Sequence, residues 1–187
     1  YLYASIFAIT RSRVVWLFVL AVSAILTVNV LEIFEGTLEQ KVALALFIPL
    51  IISSGGNTGS QASTLIIQAM AVGEITVASW WRVIRREIIQ GVMLGSVLGI
   101  IGFIRVIAWA RIVPGVYGEH EVRVAFTVGF ALLGVVLWGT LSGSMLPMVL
   151  KKAGADPAVS SAPFVATLVD VTGLIIYFSV AYFFLKG

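Results

Sequence analysis

The chain has 187 residues, of which 60% are hydrophobic and 11% charged, with a formal net charge of +3. Soluble domains carry about 25% charged residues, so a mean hydropathy of +1.08 excludes a water-covered surface and places the chain in lipid. The absence of cysteine and a single histidine, His120, exclude disulfides, thiol redox chemistry and thiolate or multi-histidine metal centres.

Lipid leaves the backbone no hydrogen-bond partner, so spans must be helical. A β-barrel would need alternating strands of about ten residues, and no such alternation is present. Stretches that reach the roughly 20 residues of a bilayer crossing occur five times in the sequence. The first is expected over Arg13–Phe34. Tyr1 stands where a complete chain would begin with Met, which reads as a piece of a longer protein. On this reading residues 1–12 are the remnant of a cytoplasmic connecting segment, and 13–187 form one transmembrane pore domain.

The second span, Gln40–Met70, is unusual for a helix in lipid. It carries Ser53, Ser54, Gly55, Gly56, Asn57, Thr58, Gly59, Ser60, Gln61, Ser63, Thr64 and Gln68. Asn57, Gln61, Thr64 and Gln68 recur at helical spacing and share one face. Facing lipid would leave each of these groups unsatisfied. Interhelical hydrogen bonding suffices to explain a single Asn, but a stripe of this length favours a pore lining. The glycines are expected to loosen the helix here and free carbonyls as ligands, as is tolerated where backbone lines a wet cavity.

Between the second and third spans, Ile75–Arg86 joins Trp80 and Trp81 to Arg82, Arg85 and Arg86. This is expected to be a short amphipathic helix at the cytoplasmic interface, its cations toward anionic lipid. The third span, Glu87–Ala110, carries Gly91, Gly95 and Gly99 one turn apart; the fourth, Val122–Leu150, carries Gly139, Gly143 and Pro147. Small residues at this spacing let backbones approach closely, which is a packing role. The second and fourth spans exceed a bilayer's thickness and should tilt, bend or project.

The fifth span, Ser160–Leu185, places Pro163, Ala166, Thr167, Asp170 and Gly173 on one face. Asp170 is read as the one charge inside a span. An aspartate at mid-span costs roughly 2.5–3.5 kcal/mol on insertion scales, and no Lys, Arg or His stands mid-span to offset it. A cation, a proton or water must do so. One carboxylate among amides, hydroxyls and carbonyls is a hard, all-oxygen site. Ca²⁺ gathers several carboxylates, whereas Mg²⁺ keeps most of its waters, so hydrated Mg²⁺ suits a polar tunnel best. The residues leave Mn²⁺, Co²⁺ and Ni²⁺ open. A homodimer about the pore axis would bring a second Asp170 and balance a divalent charge.

Lys and Arg set the orientation. With the N-terminus inside, the cytoplasmic side holds Arg11, Arg13, Arg82, Arg85, Arg86, Lys151 and Lys152; the outside holds Lys41, Arg105, Arg111, Arg123 and Lys186. Glu32, Glu35 and Glu39 fall in the first outside loop, which supports an inside N-terminus and an outside C-terminus. The basic balance therefore reads as topology and implies no nucleic-acid partner.

The Gly55–Gln61 run and the Pro163, Thr167, Asp170, Gly173 pattern resemble the glycine–asparagine and last-helix ion-binding motifs of the MgtE magnesium channel family, and the likeness extends over essentially the whole chain. The resemblance implies an all-α integral membrane homodimer with five transmembrane helices per protomer and a pore lined by helices 2 and 5. It implies that Asp170 holds hydrated Mg²⁺ as both transported ion and pore ligand, with the Ala166 carbonyl nearby. Gly56 and Asn57 then shape the path, with Gln61, Thr64, Thr167 and Gly173 along its lining. Family members usually carry cytoplasmic regulatory domains before the first span, and these are expected to be missing here.

Two other classes stand against a Mg²⁺-selective channel in the cell membrane. A carrier coupled to H⁺ or Na⁺ would call for a second intramembrane carboxylate, and none is read in the spans. An intramembrane enzyme would need paired aspartates or a Ser–His–Asp set, and His120 falls in a loop, so the chain is not expected to be an enzyme.

Overall fold

A chain that cannot share backbone hydrogen bonds with its solvent must close them within helices. The computed structural model, which describes residues 5–36, 42–154 and 162–185, does so along nearly its whole length. Five long helices run in order: α1 Ile6–Ile33, α2 Ile48–Ala71, α3 Trp80–Ile112, α4 Glu121–Lys152 and α5 Ala162–Leu185. Short 3-10 turns at Val42–Phe47, Val77–Ser79 and Gly118–His120 join them, and no strand occurs among the described residues.

Among the described residues, four segments are long and apolar enough to cross a membrane: Ala43–Ala71, Val77–Ile112, Glu121–Lys152 and Phe164–Leu185. α1 is 28 residues long, but its apolar stretch among the described residues, Leu20–Ile33, is shorter than a span. α1 begins at Ile6, so residues 6–12 are helical and continuous with the first expected span. The expected span starts at Gln40 and Ser160 lie outside the described residues, as do Glu39, Lys41 and Lys186.

Two expectations require correction. Ile75–Arg86 is not an independent interfacial helix: after the Val77–Ser79 turn, Trp80 opens a single helix of 33 residues. Nothing between Trp80 and Glu87 breaks the hydrogen-bond ladder, because the sequence has no Gly or Pro there. The punctuation comes earlier, at Gly73, whose φ of 78° lets Glu74 N–H reach back to the Ala69 carbonyl at 2.9 Å and close α2.

The second correction concerns α2, which stays helical from Ile48 to Ala71 straight through its glycines. Local hydroxyls even reinforce it: Thr58 Oγ1 donates to the Ser54 carbonyl at 2.6 Å, and Thr64 Oγ1 to that of Ser60 at 2.9 Å. No carbonyl is freed by a break. Gly55 and Gly59 instead meet α4. A methyl on Gly139 would stand 2.6 Å from the Gly55 carbonyl oxygen, and one on Gly143 would collide with that of Gly59.

α4 is the central post, packed by α2, α3 and α5, while α1 rests on α5. The seam between α3 and α4 is the expected glycine type: a methyl on Gly95 would lie 2.9 Å from Leu133 backbone, and one on Gly99 2.6 Å from the Gly129 carbonyl oxygen. At the other end of the bundle, buried Tyr177 donates its hydroxyl to the Leu44 carbonyl at 2.8 Å. Phe178 stacks on Phe34 at 4.5 Å. The first contact anchors the chain entering α2 to α5, and the second ties the end of α1 to it.

Candidate cation path between the second and fifth helices

α2 presents two faces because of where its glycines fall. Gly55 and Gly59 turn into the bundle against α4 and α5: a methyl on Gly55 would strike Val135, and one on Gly59 would lie 3.0 Å from Val165 Cγ1. Gly56, one residue round the helix, turns toward α5. A methyl there would stand 3.0 Å from Asp170 Oδ1, 3.6 Å from Ala166 Cβ and 3.7 Å from Ala166 Cα. The missing side chain at Gly56 is therefore what lets the Asp170 carboxylate and the Ala166 backbone approach α2.

Asp170 is half-buried, and no charged side chain among the described residues acts on it. Val165 and Val169, on the neighbouring face of α5, are buried in the core. This apolar packing fixes the rotation of α5 and holds Asp170 at the edge of the bundle rather than inside it. On the far side, Trp138 Nε1 of α4 donates to Thr172 Oγ1 of α5 at 2.7 Å, a second pin two residues from the carboxylate. A Trp in mid-span, away from the interface belts where Trp collects, is the sequence signal for that contact.

The polar stripe of α2 continues from Gly56 along an open face. Ser53, Asn57, Gln61, Thr64 and Gln68 are all exposed. Asn57 Nδ2 donates to Ser53 Oγ at 3.1 Å. On α5, Thr167 is partly buried. Gly173 is not part of this group: it is buried, and a methyl there would lie 3.2 Å from Val135 Cγ1 of α4. The structure thus brings Gly56, Ala166 and Asp170 together, ranges Asn57, Gln61 and Thr64 on one open face, and turns Gly173 toward α4.

Glu87 adds a carboxylate that the sequence reading set at the edge of a span. It lies two turns inside α3, in the apolar segment Val77–Ile112, and is only 8% exposed. Its backbone carbonyl accepts from Thr140 Oγ1 of α4 at 3.4 Å. Asp170 is accordingly not the sole acid within the helical bundle.

Chemically, the corner where Gly56 admits Asp170 offers one carboxylate oxygen beside a row of amides and hydroxyls. Such a corner suits a hard cation that keeps its waters; among the described residues no group of three or more His, Cys, Asp or Glu side chains stands ready to strip one.

Residues 48–180 match the family model MgtE, a divalent cation transporter. The chain is 39% identical over 180 residues to the magnesium transporter MgtE of Thermus thermophilus, covering 96% of this chain and 38% of that protein. It is 32% identical to the magnesium transporter MgtE of Enterococcus faecalis, over 93% of this chain and 36% of that protein. Against the magnesium transporter MgtE of Bacillus subtilis it is 31% identical, over 94% of this chain and 37% of that protein. The chain thus spans under two fifths of the length of these relatives, while the match runs from α2 through most of α5. The chain belongs to the MgtE family of divalent cation transporters.

Proposed function

We propose that this chain forms the ion-conducting domain of a magnesium transporter, passing hydrated Mg²⁺ between α2 and α5 down its electrochemical gradient. The observation that carries this reading is the Asp170 carboxylate, met by no charged side chain among the described residues, facing the bare backbone of Gly56. The carboxylate supplies charge, the Ala166 carbonyl a neighbouring acceptor, and Asn57, Gln61, Thr64 and Thr167 partners for the waters the ion retains. Gly173 serves the path indirectly, by letting α5 close on α4. The relatives bear the name magnesium transporter, and their family is one of transporters rather than enzymes.

In this reading α1 also crosses the membrane and brings the spans to five, and a second copy of the chain covers the exposed polar face of α2. Two Asp170 side chains then meet one divalent ion on the dimer axis. Regulatory cytoplasmic domains belong to the further length of the relatives.

Glu87 gives a specific reason to hold a coupled carrier as the second reading, since a buried carboxylate in a span is a proton-relay candidate. Flux into proteoliposomes separates the two. A channel takes up Mg²⁺ at a rate set by its gradient and the membrane potential, unchanged when a pH or Na⁺ gradient is imposed or collapsed. Uptake that needs either gradient overturns the channel reading.

The chain lies with its N-terminus and Lys152 in the cytoplasm. Because it has no cysteine, a cysteine at Glu35 is expected to label in intact cells with an impermeant maleimide. One at Lys152 should label only after the membrane is opened. Reversed labelling would invert the topology and exchange the two mouths of the path.

A further inference from the structure

The start of α3 carries a charge arrangement that the cation path does not use. Arg82, Arg85 and Arg86 follow one another at helical spacing, and with Ala78, Ser79, Trp81 and Ile89 they line a cleft of about 400 Å³. All three arginines are exposed. None pairs with a described residue, although Arg86 feels the carboxyl of buried Glu87. Like charges crowded on one helical turn repel, so an anion in the cleft relieves them. Ser79, also in the cleft lining, makes no side-chain cap bond to the helix.

The cleft is also apolar on one side. Trp81 and Ile89 of its lining are 59% and 60% exposed. Below Ile89 the exposed surface continues as Met93, Val97, Ile100 and Ile104 along the same helix, which is long and apolar enough to cross a membrane. We propose that this cleft is a binding site for an anionic phospholipid, with its phosphate held by Arg82, Arg85 and Arg86 and an acyl chain lying along Ile89, Met93 and Val97. Arginine forks suit phosphate oxygens through paired hydrogen bonds, and Trp suits the headgroup level. An acidic protein segment would satisfy the arginines but leave the apolar strip uncovered; an anionic lipid satisfies both. The proposal rests on α3 crossing the membrane and not on which ion the chain carries.

The test is native mass spectrometry of the purified protein titrated in mild detergent with phosphatidylglycerol or phosphatidylcholine. Phosphatidylglycerol is expected to be retained selectively. The triple variant R82Q/R85Q/R86Q should weaken that retention by about fivefold per arginine, hence about 100-fold in all. Lys151→Gln with Lys152→Gln, which removes charge outside the cleft, should leave it unchanged. If the glutamine variant does not fold, R82K/R85K/R86K keeps the charge but loses the forks, and should bind several-fold more weakly. Retention unaffected by either arginine variant overturns the site, and equal loss in the lysine pair reduces it to diffuse charge. Displacement of the lipid by millimolar inorganic phosphate would make the cleft a free-anion site, and displacement by poly-glutamate a protein-docking one; either result overturns the lipid assignment.

Discussion

Asp170→Asn is expected to abolish Mg²⁺ flux while leaving the folded protein at least as stable. The substitution keeps the shape and much of the hydrogen bonding of the side chain, so it isolates charge from packing. In the proposed dimer it removes two negative charges from the narrowest part of the path. Divalent occupancy then collapses, and selectivity over Na⁺ and K⁺ goes with it. Folding does not suffer, because an aspartate within a span costs roughly 2.5–3.5 kcal/mol to insert and no charged side chain among the described residues offsets that cost. Thermal denaturation provides the second readout. An ion present at a hundred times its dissociation constant stabilises the protein it binds by about 2.7 kcal/mol; the variant should lose that Mg²⁺-dependent shift. Asn57→Ala, which removes water-binding groups but no charge, should give a milder flux defect. Normal Mg²⁺ conduction by Asp170→Asn, with its stabilisation by Mg²⁺ intact, would mean that the ion is held elsewhere.

Gly143→Ala is expected to be the most damaging single methyl in the bundle. The added carbon would be driven into the Gly59 carbonyl oxygen, with the Gly59 carbonyl carbon at 2.8 Å and its Cα at 2.9 Å. All three are backbone atoms of an unbroken helix and cannot swing aside. Overpacking a tight core costs typically 1–3 kcal/mol, and backbone against backbone belongs at the upper end. Relief comes only by pushing α2 away from α4. Because Gly56 lies on the same helix as Gly59, that shift also alters its separation from Asp170. Two effects should therefore appear together: a lowered melting temperature in detergent and reduced Mg²⁺ flux per folded protein. Gly36→Ala is the control, since a methyl there meets nothing within 4 Å. A Gly143→Ala protein as stable as the parent would show that the α2–α4 contact is looser than its geometry requires.

The sequence by itself determined most of what depends on local pattern. Composition placed the chain in lipid, and apolar runs with their charged flanks located five helices in the right order. Helical spacing gathered Asn57, Gln61 and Thr64 on one face and isolated Asp170 on α5. It also identified Gly91, Gly95, Gly99, Gly139 and Gly143 as packing positions, because close helix crossings need small residues one turn apart. What it left open is which neighbour each face meets, for that depends on segments remote in the chain. Gly55, Gly56 and Gly59 look alike in a row of letters, yet Gly55 and Gly59 admit α4 while Gly56 admits the Asp170 carboxylate. Spacing put Gly173 on the face of Asp170, but the crossing of α5 over α4 turns it to Val135. The arginines after Trp81 looked like an interfacial helix until the unbroken ladder of α3 absorbed them, and the same lengthening drew Glu87 into the bundle. Periodicity assigns residues to faces of a helix; the rotation of each helix about its axis is decided only when buried apolar residues such as Val135, Val165 and Val169 find their partners.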